Sequence, residues 1–108
     1  MDSIRLVDPR GGEWLVEVPS TARQRMRGLL GRGAAPPFTG MLFRNCRTIH
    51  TLFMRFPLEV VFLDRTLRII DVQQAEPGRW SVRSSGATHI LEVPAGSGLR
   101  RGDVLRTP

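Results

Sequence analysis

The sequence predicts a mainly β domain: a small sandwich or barrel of short, largely antiparallel strands, with one short α-helix near residues 21–30. Three observations support this prediction. Several short runs alternate apolar and polar residues, which is typical of half-buried strands. Eleven glycines and eight prolines in 108 residues divide the chain into short elements. Only one segment has the helical spacing of apolar residues. The length suits one domain, residues 1–108, with a single core.

The first two elements are predicted to form a β-hairpin. An apolar-rich run at residues 4–7 ends at the turn-forming residues 8–12, which include Pro9 and two glycines. Residues 13–18 then alternate, with Trp14, Val16 and Val18 on one face. This pattern indicates a half-buried strand that returns along the first one.

The helix is predicted from apolar residues that recur on one face of residues 21–30. Thr21, with Gln24 three positions later, fits an N-terminal capping box. Gly28 or Gly31 can end the helix. The apolar face consists of Ala22, Met26, Leu29 and Leu30.

The rest of the chain contains further short strand candidates. Residues 58–63 and 67–72 are both apolar and flank Asp64 and Arg65, so they are predicted to form a second hairpin. The other candidates are residues 40–43, 48–53, 80–82, 88–93 and 103–106.

The charge composition favours no particular partner. All sixteen basic residues are Arg, and the net charge is +6. A basic chain raises the hypothesis of nucleic-acid binding, but these arginines are spread along the chain, so nucleic acid is not the favoured partner. The absence of Lys excludes Schiff-base chemistry and a Walker phosphate loop. With one Cys no internal disulfide forms, and no signal or membrane segment is recognised, so we expect a cytoplasmic protein.

Cys46 and His50 are the sharpest candidates for catalysis. Arg44 and Arg47 flank Cys46 and would favour its thiolate, the reactive form. In an extended segment Cys46 and His50 are about 13 Å apart, so catalysis would need a bend or His89 as the partner. The alternative is that Cys46 is a small buried hydrophobic residue. Both histidines and Cys46, with Asp64, form only a weak metal set because their spacing is not paired, and we predict no metal and no cofactor.

A second group of candidates would bind an anionic or polar ligand. These residues are Arg25, Arg27, Arg32, Arg55 and Asp64. The favoured alternative for Arg25 and Arg32 is an internal ion pair with Glu92 or Asp103, because a planar guanidinium binds a carboxylate at two points. For Asp64 the alternative is a turn residue.

Three segments resemble the motifs of a bacterial and archaeal family known as domain of unknown function 192. The first is residues 25–32 followed by residues 40–43, the second is Met54 with residues 57–64, and the third is residues 91–96 with residues 102–104. The resemblance extends over about residues 14–106. The sequence departs from the common pattern at Leu30, Phe53 and Glu59, and its link between Met54 and Pro57 is short. The resemblance implies a compact, mainly β domain with a short helix, and implies no established activity or cofactor.

The sequence therefore favours a non-catalytic binding or accessory module, which recognises a small ligand or an extended peptide on a small β framework with exposed edges. The first alternative is a thiol- or metal-assisted enzyme centred on Cys46 with His50 or His89. The second is nucleic-acid binding through the arginines of the predicted helix.

Overall fold

The computed structural model describes residues 2–19, 40–49, 58–76 and 82–108. These residues form eight strands and no helix, which confirms the mainly β prediction; the helix predicted near residues 21–30 lies outside the described residues. The strands are β1 (Asp2–Val7), β2 (Glu13–Val18), β3 (Gly40–Phe43), β4 (Thr48–Ile49), β5 (Leu58–Leu63), β6 (Ile69–Ala75), β7 (Val82–Arg83) and β8 (His89–Pro94).

Six of the strands form one sheet in the order β1-β2-β3-β8-β5-β6, and β4 pairs with β7 in a separate small sheet. The pairs β1–β2 and β5–β6 are the two hairpins expected from the sequence. Only β2 and β3 run parallel among the described strands. A parallel pair needs a long crossover connection, which here contains residues 20–39 and lies outside the described residues.

The C-terminal segment joins the two edges of the six-stranded sheet at one end. Val7 at the end of β1 bridges to Arg106, and Arg68 beside β6 bridges to Val104. The Ile69 N–H donates to the Asp103 carbonyl oxygen at 2.7 Å. The sheet therefore curls into a small barrel that is closed at this end, and residues 103–106, predicted as a strand, pair through isolated bridges.

Apolar residues pack on both faces of the sheet. The inner cluster lies between the sheet and the C-terminal segment, which contributes Leu99 and Leu105. The outer cluster lies on the other face and is completed by Ala87 and Cys46. The sheet residues of the inner cluster include Leu6, Val16, Leu42, Val61, Leu63, Leu91 and Val93; those of the outer cluster are Met41, Phe43, Val60, Phe62, Ala75 and Ile90.

Candidate functional site

Glu92 lies in the middle of β8, on the outer face of the sheet. Strand β8 has β3 on one side and β5 on the other, and Glu92 is directly opposite Met41 and Val60. Its side chain is only 3% exposed. Within the described ranges, Glu92 Oε2 has no hydrogen-bond partner, although a buried polar group normally has one. Burial without a compensating charge raises the pKa of Glu92 to about 8, so the carboxyl is mostly protonated at neutral pH.

A second buried glutamate lies in the same row across the sheet. Glu17 on β2 is opposite Met41, which in turn is opposite Glu92. Neighbouring strands are about 4.8 Å apart, so the Cα atoms of Glu17 and Glu92 are separated by about 10 Å. We call this set of side chains the Glu92 row; it consists of Glu17, Met41, Glu92, Val60 and Gln73.

Glu59 is also buried, but its carboxylate is fully used by the fold. Its Oε2 accepts from the Gly96 N–H at 2.7 Å, and its Oε1 accepts from the Ser97 hydroxyl. The Ser97 Oγ in turn accepts from the Leu99 N–H at 3.1 Å. Glu59 therefore holds the loop after β8 in place.

Arg10 and Asp103 form an ion pair at the closed end of the barrel. Arg10 donates through Nη1 and Nη2 to the two Asp103 oxygens, at 3.1 and 2.6 Å. This bond holds the pKa of Asp103 below its ordinary value. The sequence favoured Arg25 or Arg32 as the partner of Asp103. The structure pairs Asp103 with Arg10, whereas Arg25 and Arg32 lie outside the described residues and their ion pair stays a prediction.

Asp8 organises the turn that precedes this pair. Its carboxylate accepts from the backbone N–H of Arg10 and of Gly12, and from Trp14 Nε1 at 3.1 Å. Burial by itself would raise the pKa of Asp8, but these hydrogen bonds outweigh it and lower the pKa.

His89 accepts a backbone hydrogen bond through Nδ1. The Asn45 N–H donates to His89 Nδ1 at 3.1 Å, and the Cys46 N–H donates to the Thr88 carbonyl oxygen at 2.9 Å. The two segments are therefore adjacent. Because Nδ1 is an acceptor, the neutral ring carries its proton on Nε2 and has no free acceptor for a thiol proton. Burial, followed by the nearby charge of Arg44, lowers the pKa of His89.

Asp64 is held in the turn between β5 and β6. Its Oδ1 accepts from the Thr66 N–H at 2.8 Å, the Thr66 hydroxyl at 2.6 Å and the Arg68 N–H at 3.0 Å. The hydroxyl bond is the main cause of its lowered pKa. This arrangement is the turn alternative for Asp64, and a contact with a ligand stays a prediction.

The other predicted site residues lie outside the described residues: Arg25, Arg27, Arg32, His50 and Arg55. Within the described ranges, no group of three or more His, Cys, Asp or Glu side chains is arranged to hold a metal ion. No helix in those ranges has the length and apolarity needed to cross a membrane.

Comparison with known families identifies the chain. The model of the domain of unknown function 192 family, described as an uncharacterized ACR, matches residues 5–106. The chain belongs to this family. The resemblance predicted from the three motif segments is therefore confirmed, and membership brings no specific activity with it.

Three archaeal proteins named UPF0127 are similar to parts of the chain. The Thermococcus sibiricus protein is 39% identical over 49 residues, which are 45% of this chain and 32% of that protein. The Pyrococcus horikoshii protein is 37% identical over 49 residues, 45% of this chain and 43% of that protein. The Pyrococcus furiosus protein is 30% identical over 74 residues, 55% of this chain and 64% of that protein. The matches thus span between a third and two thirds of the relatives' lengths.

Two solved structures share the fold. A candidate transcription regulator from Sinorhizobium meliloti has a TM-score of 0.80 and 25% identity, and covers 97% of this chain and 92% of that chain. A protein of unknown function from Novosphingobium aromaticivorans has a TM-score of 0.76 and 22% identity, with 96% and 83% covered. Both structures therefore share the mainly β fold of this chain.

The sequence marked Glu92 only as an acid within a family motif and as a partner for Arg25 or Arg32. It missed that this carboxyl is buried and that its Oε2 lacks a hydrogen-bond partner among the described residues. One signal was present: in residues 88–93 the apolar residues fall on both faces of the strand, so a glutamate among them is buried on whichever face it occupies.

Proposed function

We propose that this chain is a non-catalytic module that binds a small ligand on the outer face of its sheet, at the Glu92 row. The observation that carries the proposal is the Glu92 carboxyl, which is buried and whose Oε2 has no hydrogen-bond partner among the residues that the structure describes. An unsatisfied buried polar group costs about 1–3 kcal/mol, so its retention calls for an explanation. A ligand that hydrogen-bonds to Glu92 supplies one.

The other prominent acids support the choice of Glu92 because each already has a structural role. Glu59 holds the loop at Gly96, Asp103 binds Arg10, and Asp64 organises a turn. These groups gain little by contacting a ligand. Glu92 differs from them because its Oε2 has no hydrogen-bond partner in the part of the chain that the structure describes.

The geometry of His89 supports a non-catalytic role over the thiol enzyme considered above. A base for Cys46 must accept its proton, and the His89 nitrogen that can accept is already bonded to the Asn45 N–H. The enzyme alternative predicts fast alkylation of Cys46 near neutral pH, and a slow rate in the folded protein removes it.

A second candidate function is recognition of an extended peptide at the edge formed by β1. This strand is an edge of the sheet, and beyond the bridge at Val7 no partner strand is found for it among the described residues. Because backbone groups alternate in direction along a strand, Ser3 and Arg5 present theirs on the same side as Val7. Peptides add to such edges as an extra strand.

Native mass spectrometry tests the small-ligand proposal. Wild type, Glu92→Gln and Glu13→Gln proteins are purified from the source host without dialysis. Glu13 is exposed at the start of β2 and serves as the charge-matched control. We expect a bound small molecule on wild type and Glu13→Gln, and its loss from Glu92→Gln.

A bare mass for all three proteins, with no melting shift from a small-molecule library, contradicts the proposal. So does turnover in a broad hydrolase screen that disappears in Cys46→Ala. Binding of nucleic acid that weakens steeply with salt would favour the arginine-based alternative.

A further inference from the structure

We propose that the edge of the sheet formed by β1 pairs with the same edge of a second copy of this chain. The two strands run antiparallel about a two-fold axis at Ile4, and the product is a symmetric dimer. This interface is separate from the Glu92 row and does not depend on the small-ligand proposal. It commits the edge, considered above for an extended peptide, to one occupant.

The backbone groups of Ser3 and Arg5 face outward from the sheet. The Val7 N–H donates to the Arg106 carbonyl oxygen at 2.8 Å, and the Arg106 N–H donates to the Val7 carbonyl oxygen at 3.1 Å, so the Val7 groups point away from β2. Backbone direction alternates along a strand, so Ser3 and Arg5 point the same way. Both residues are exposed, and no partner is found for these backbone groups among the described residues.

The edge formed by β1 is regular, whereas the opposite edge of the six-stranded sheet is interrupted. Six consecutive residues of β1 pair with β2 in an unbroken register, and residues 2–7 contain no proline. A β-bulge disturbs the pairing of β5 with β6. The C-terminal segment also covers the start of β6, where Ile69 bonds to Gly102 and Asp103. Bulges and covering segments prevent strand addition, and they protect β6 rather than β1.

A two-fold register centred on Ile4 uses all the outward groups of both protomers. Ser3 then lies opposite the partner's Arg5, and Arg5 lies opposite the partner's Ser3. Each of these two pairs exchanges two N–H···O=C bonds, as antiparallel pairs with facing backbone groups do. Residues 2–6 of each strand overlap, and no two like charges are directly opposite each other.

The neighbouring symmetric registers are less favourable. A register centred on Arg5 places the two guanidinium groups opposite each other, and like charges in that position destabilise a strand pair. It also requires the Val7 backbone groups, which are bonded to Arg106. A register centred on Ser3 overlaps only residues 2–4 of the two strands. The register at Ile4 therefore selects a second copy of β1 as a matching strand.

The side chain of Ile4 supplies an apolar contact at the axis. Ile4 is half-buried and packs against the inner cluster with part of its surface. In the proposed register it lies opposite its own copy in a pair without direct backbone bonds, with the two Cα atoms about 4.5 Å apart. The remaining apolar surface of each Ile4 is then removed from water by the other.

The size and charge of this interface determine how it should behave. Two short strands bury less than the roughly 1,200–2,000 Å² of a stable interface, so we expect a concentration-dependent dimer with a Kd in the micromolar range or weaker. Each protomer has a net charge of +6. Salt screens the repulsion between them, so the dimer should become tighter as salt rises. Because the pairing uses the β1 edge of both copies, it ends at two.

Sedimentation equilibrium of the full chain at low and high sodium chloride tests the proposal. Arg5→Pro removes an N–H that faces away from β2, which an edge strand tolerates, and should weaken dimerisation at least about tenfold. Arg5→Ala is the matched control, since it loses the same charge and keeps the N–H. It should dimerise at least as well as wild type. Circular dichroism and melting curves establish that both variants are folded.

Disulfide cross-linking in a Cys46→Ser background tests the register. Ile4→Cys should form a disulfide-linked dimer on mild oxidation, because the two Cα atoms lie within the range of a disulfide. Ser3→Cys alone should not, because its two copies are offset by two residues along the strands and lie more than about 7 Å apart. A mixture of Ser3→Cys and Arg5→Cys should cross-link, since these positions are opposite each other.

A monomer at every concentration and salt overturns the proposal, and extended peptides that bind such a monomer at β1 would favour the peptide alternative. Equal dimerisation of Arg5→Pro and Arg5→Ala places the interface elsewhere and also overturns it. So does cross-linking of Ser3→Cys alone as fast as Ile4→Cys. The mass measurements on the Glu92 variants test the small-ligand proposal separately, so either proposal can fail without the other.

Discussion

Glu59 and Glu92 lie on the adjacent strands β5 and β8, face opposite sides of the sheet, and differ in that hydrogen-bond partners are found only for Glu59. Glu59 is opposite Val93, whereas Glu92 is opposite Val60, so their side chains point to the inner and outer faces. The two are 6% and 3% exposed. Both side chains are therefore buried. The two carboxyls differ in hydrogen bonding because the loop at Gly96 and Ser97 donates to Glu59.

The unpartnered state of Glu92 predicts that stability falls as pH rises. The folded-state pKa of about 8 is above the ordinary value of 4.5, so its contribution to stability is complete below pH 4.5. That contribution is lost between pH 4.5 and pH 8 and does not decline further above pH 8. At about 1.4 kcal/mol per pH unit, the upper bound of the loss is about 5 kcal/mol.

Urea unfolding from pH 5 to pH 9 measures this effect. We expect the free energy of unfolding of wild type to fall from pH 5 to about pH 8 and then level off, and that of Glu92→Gln to stay nearly constant. Glu13→Gln, which changes an exposed glutamate, should follow wild type. A Glu92→Gln curve parallel to that of wild type would assign the pH dependence to another group.

Glu59 and the loop at Gly96 and Ser97 form a clamp, and removing the Glu59 carboxylate is predicted to destabilise the fold. Glu59→Ala leaves the Gly96 N–H and the Ser97 hydroxyl without their acceptor, at a cost of about 2–4 kcal/mol in the free energy of unfolding. Glu59→Asp keeps a carboxylate and should retain part of this stability. Denaturant titration of Glu59→Ala, Ser97→Ala and the double variant gives a double-mutant cycle. Strict additivity of Glu59→Ala and Ser97→Ala would contradict the clamp.

The sequence predicted those features of the fold that depend on neighbouring residues. Both hairpins are set by local turns, where Asp8 and Asp64 bond to backbone N–H groups within four residues. Their strands could therefore be assigned from turn residues and alternation. The insertion of β8 between β3 and β5 could not, because it depends on packing between distant segments.

The distinction between contacts of neighbouring residues and contacts of distant segments also applies to the candidate site. The ion pair of Arg10 and Asp103 joins residues 93 positions apart, and composition offered many arginines as partners for that acid. Glu92 was recognisable as a motif acid, but the absence of a partner depends on which side chains reach it across the sheet. Sequence patterns give the burial of a strand position and do not give its hydrogen bonds.

The Arg10–Asp103 pair predicts sensitivity to acid. Asp103 has a pKa below its ordinary value of 3.8, so the stability it contributes is complete above that value and is lost as pH falls through the folded-state pKa. Arg10→Ala should therefore lower stability at neutral pH and move acid unfolding to higher pH. Arg10→Lys should restore only part of the effect, because it lacks the two-point contact.

Acid titration followed by circular dichroism measures the midpoint of this transition. Arg47→Ala is the control, since Arg47 is exposed between β3 and β4. An unchanged acid midpoint in Arg10→Ala would show that the pair does not stabilise the closed end of the barrel.

The close approach of β3 and β8 at Gly40 leaves no room for a side chain, so larger residues at this position are predicted to destabilise the fold. A Cβ atom at this position would lie 2.7 Å from the Glu92 carbonyl oxygen and 2.9 Å from Val93 Cγ1, both closer than real Cβ contacts allow. The strands would have to move apart beside the Glu92 row. Gly40→Val should therefore cost about 1–3 kcal/mol, which corresponds to a fall in Tm of roughly 4–8 °C for each kcal/mol.

Gly40→Ala separates the loss of the close approach from the added bulk of valine, because the clash arises at the Cβ atom itself. It should lower Tm by an amount comparable to Gly40→Val, whereas Arg47→Ala should leave Tm nearly unchanged. Gly28→Val, also expected from the sequence to impair folding, lies outside the described residues and stays a prediction. Equal melting temperatures for wild type and the Gly40 variants would contradict this prediction, because they would show that β3 and β8 can separate at no cost.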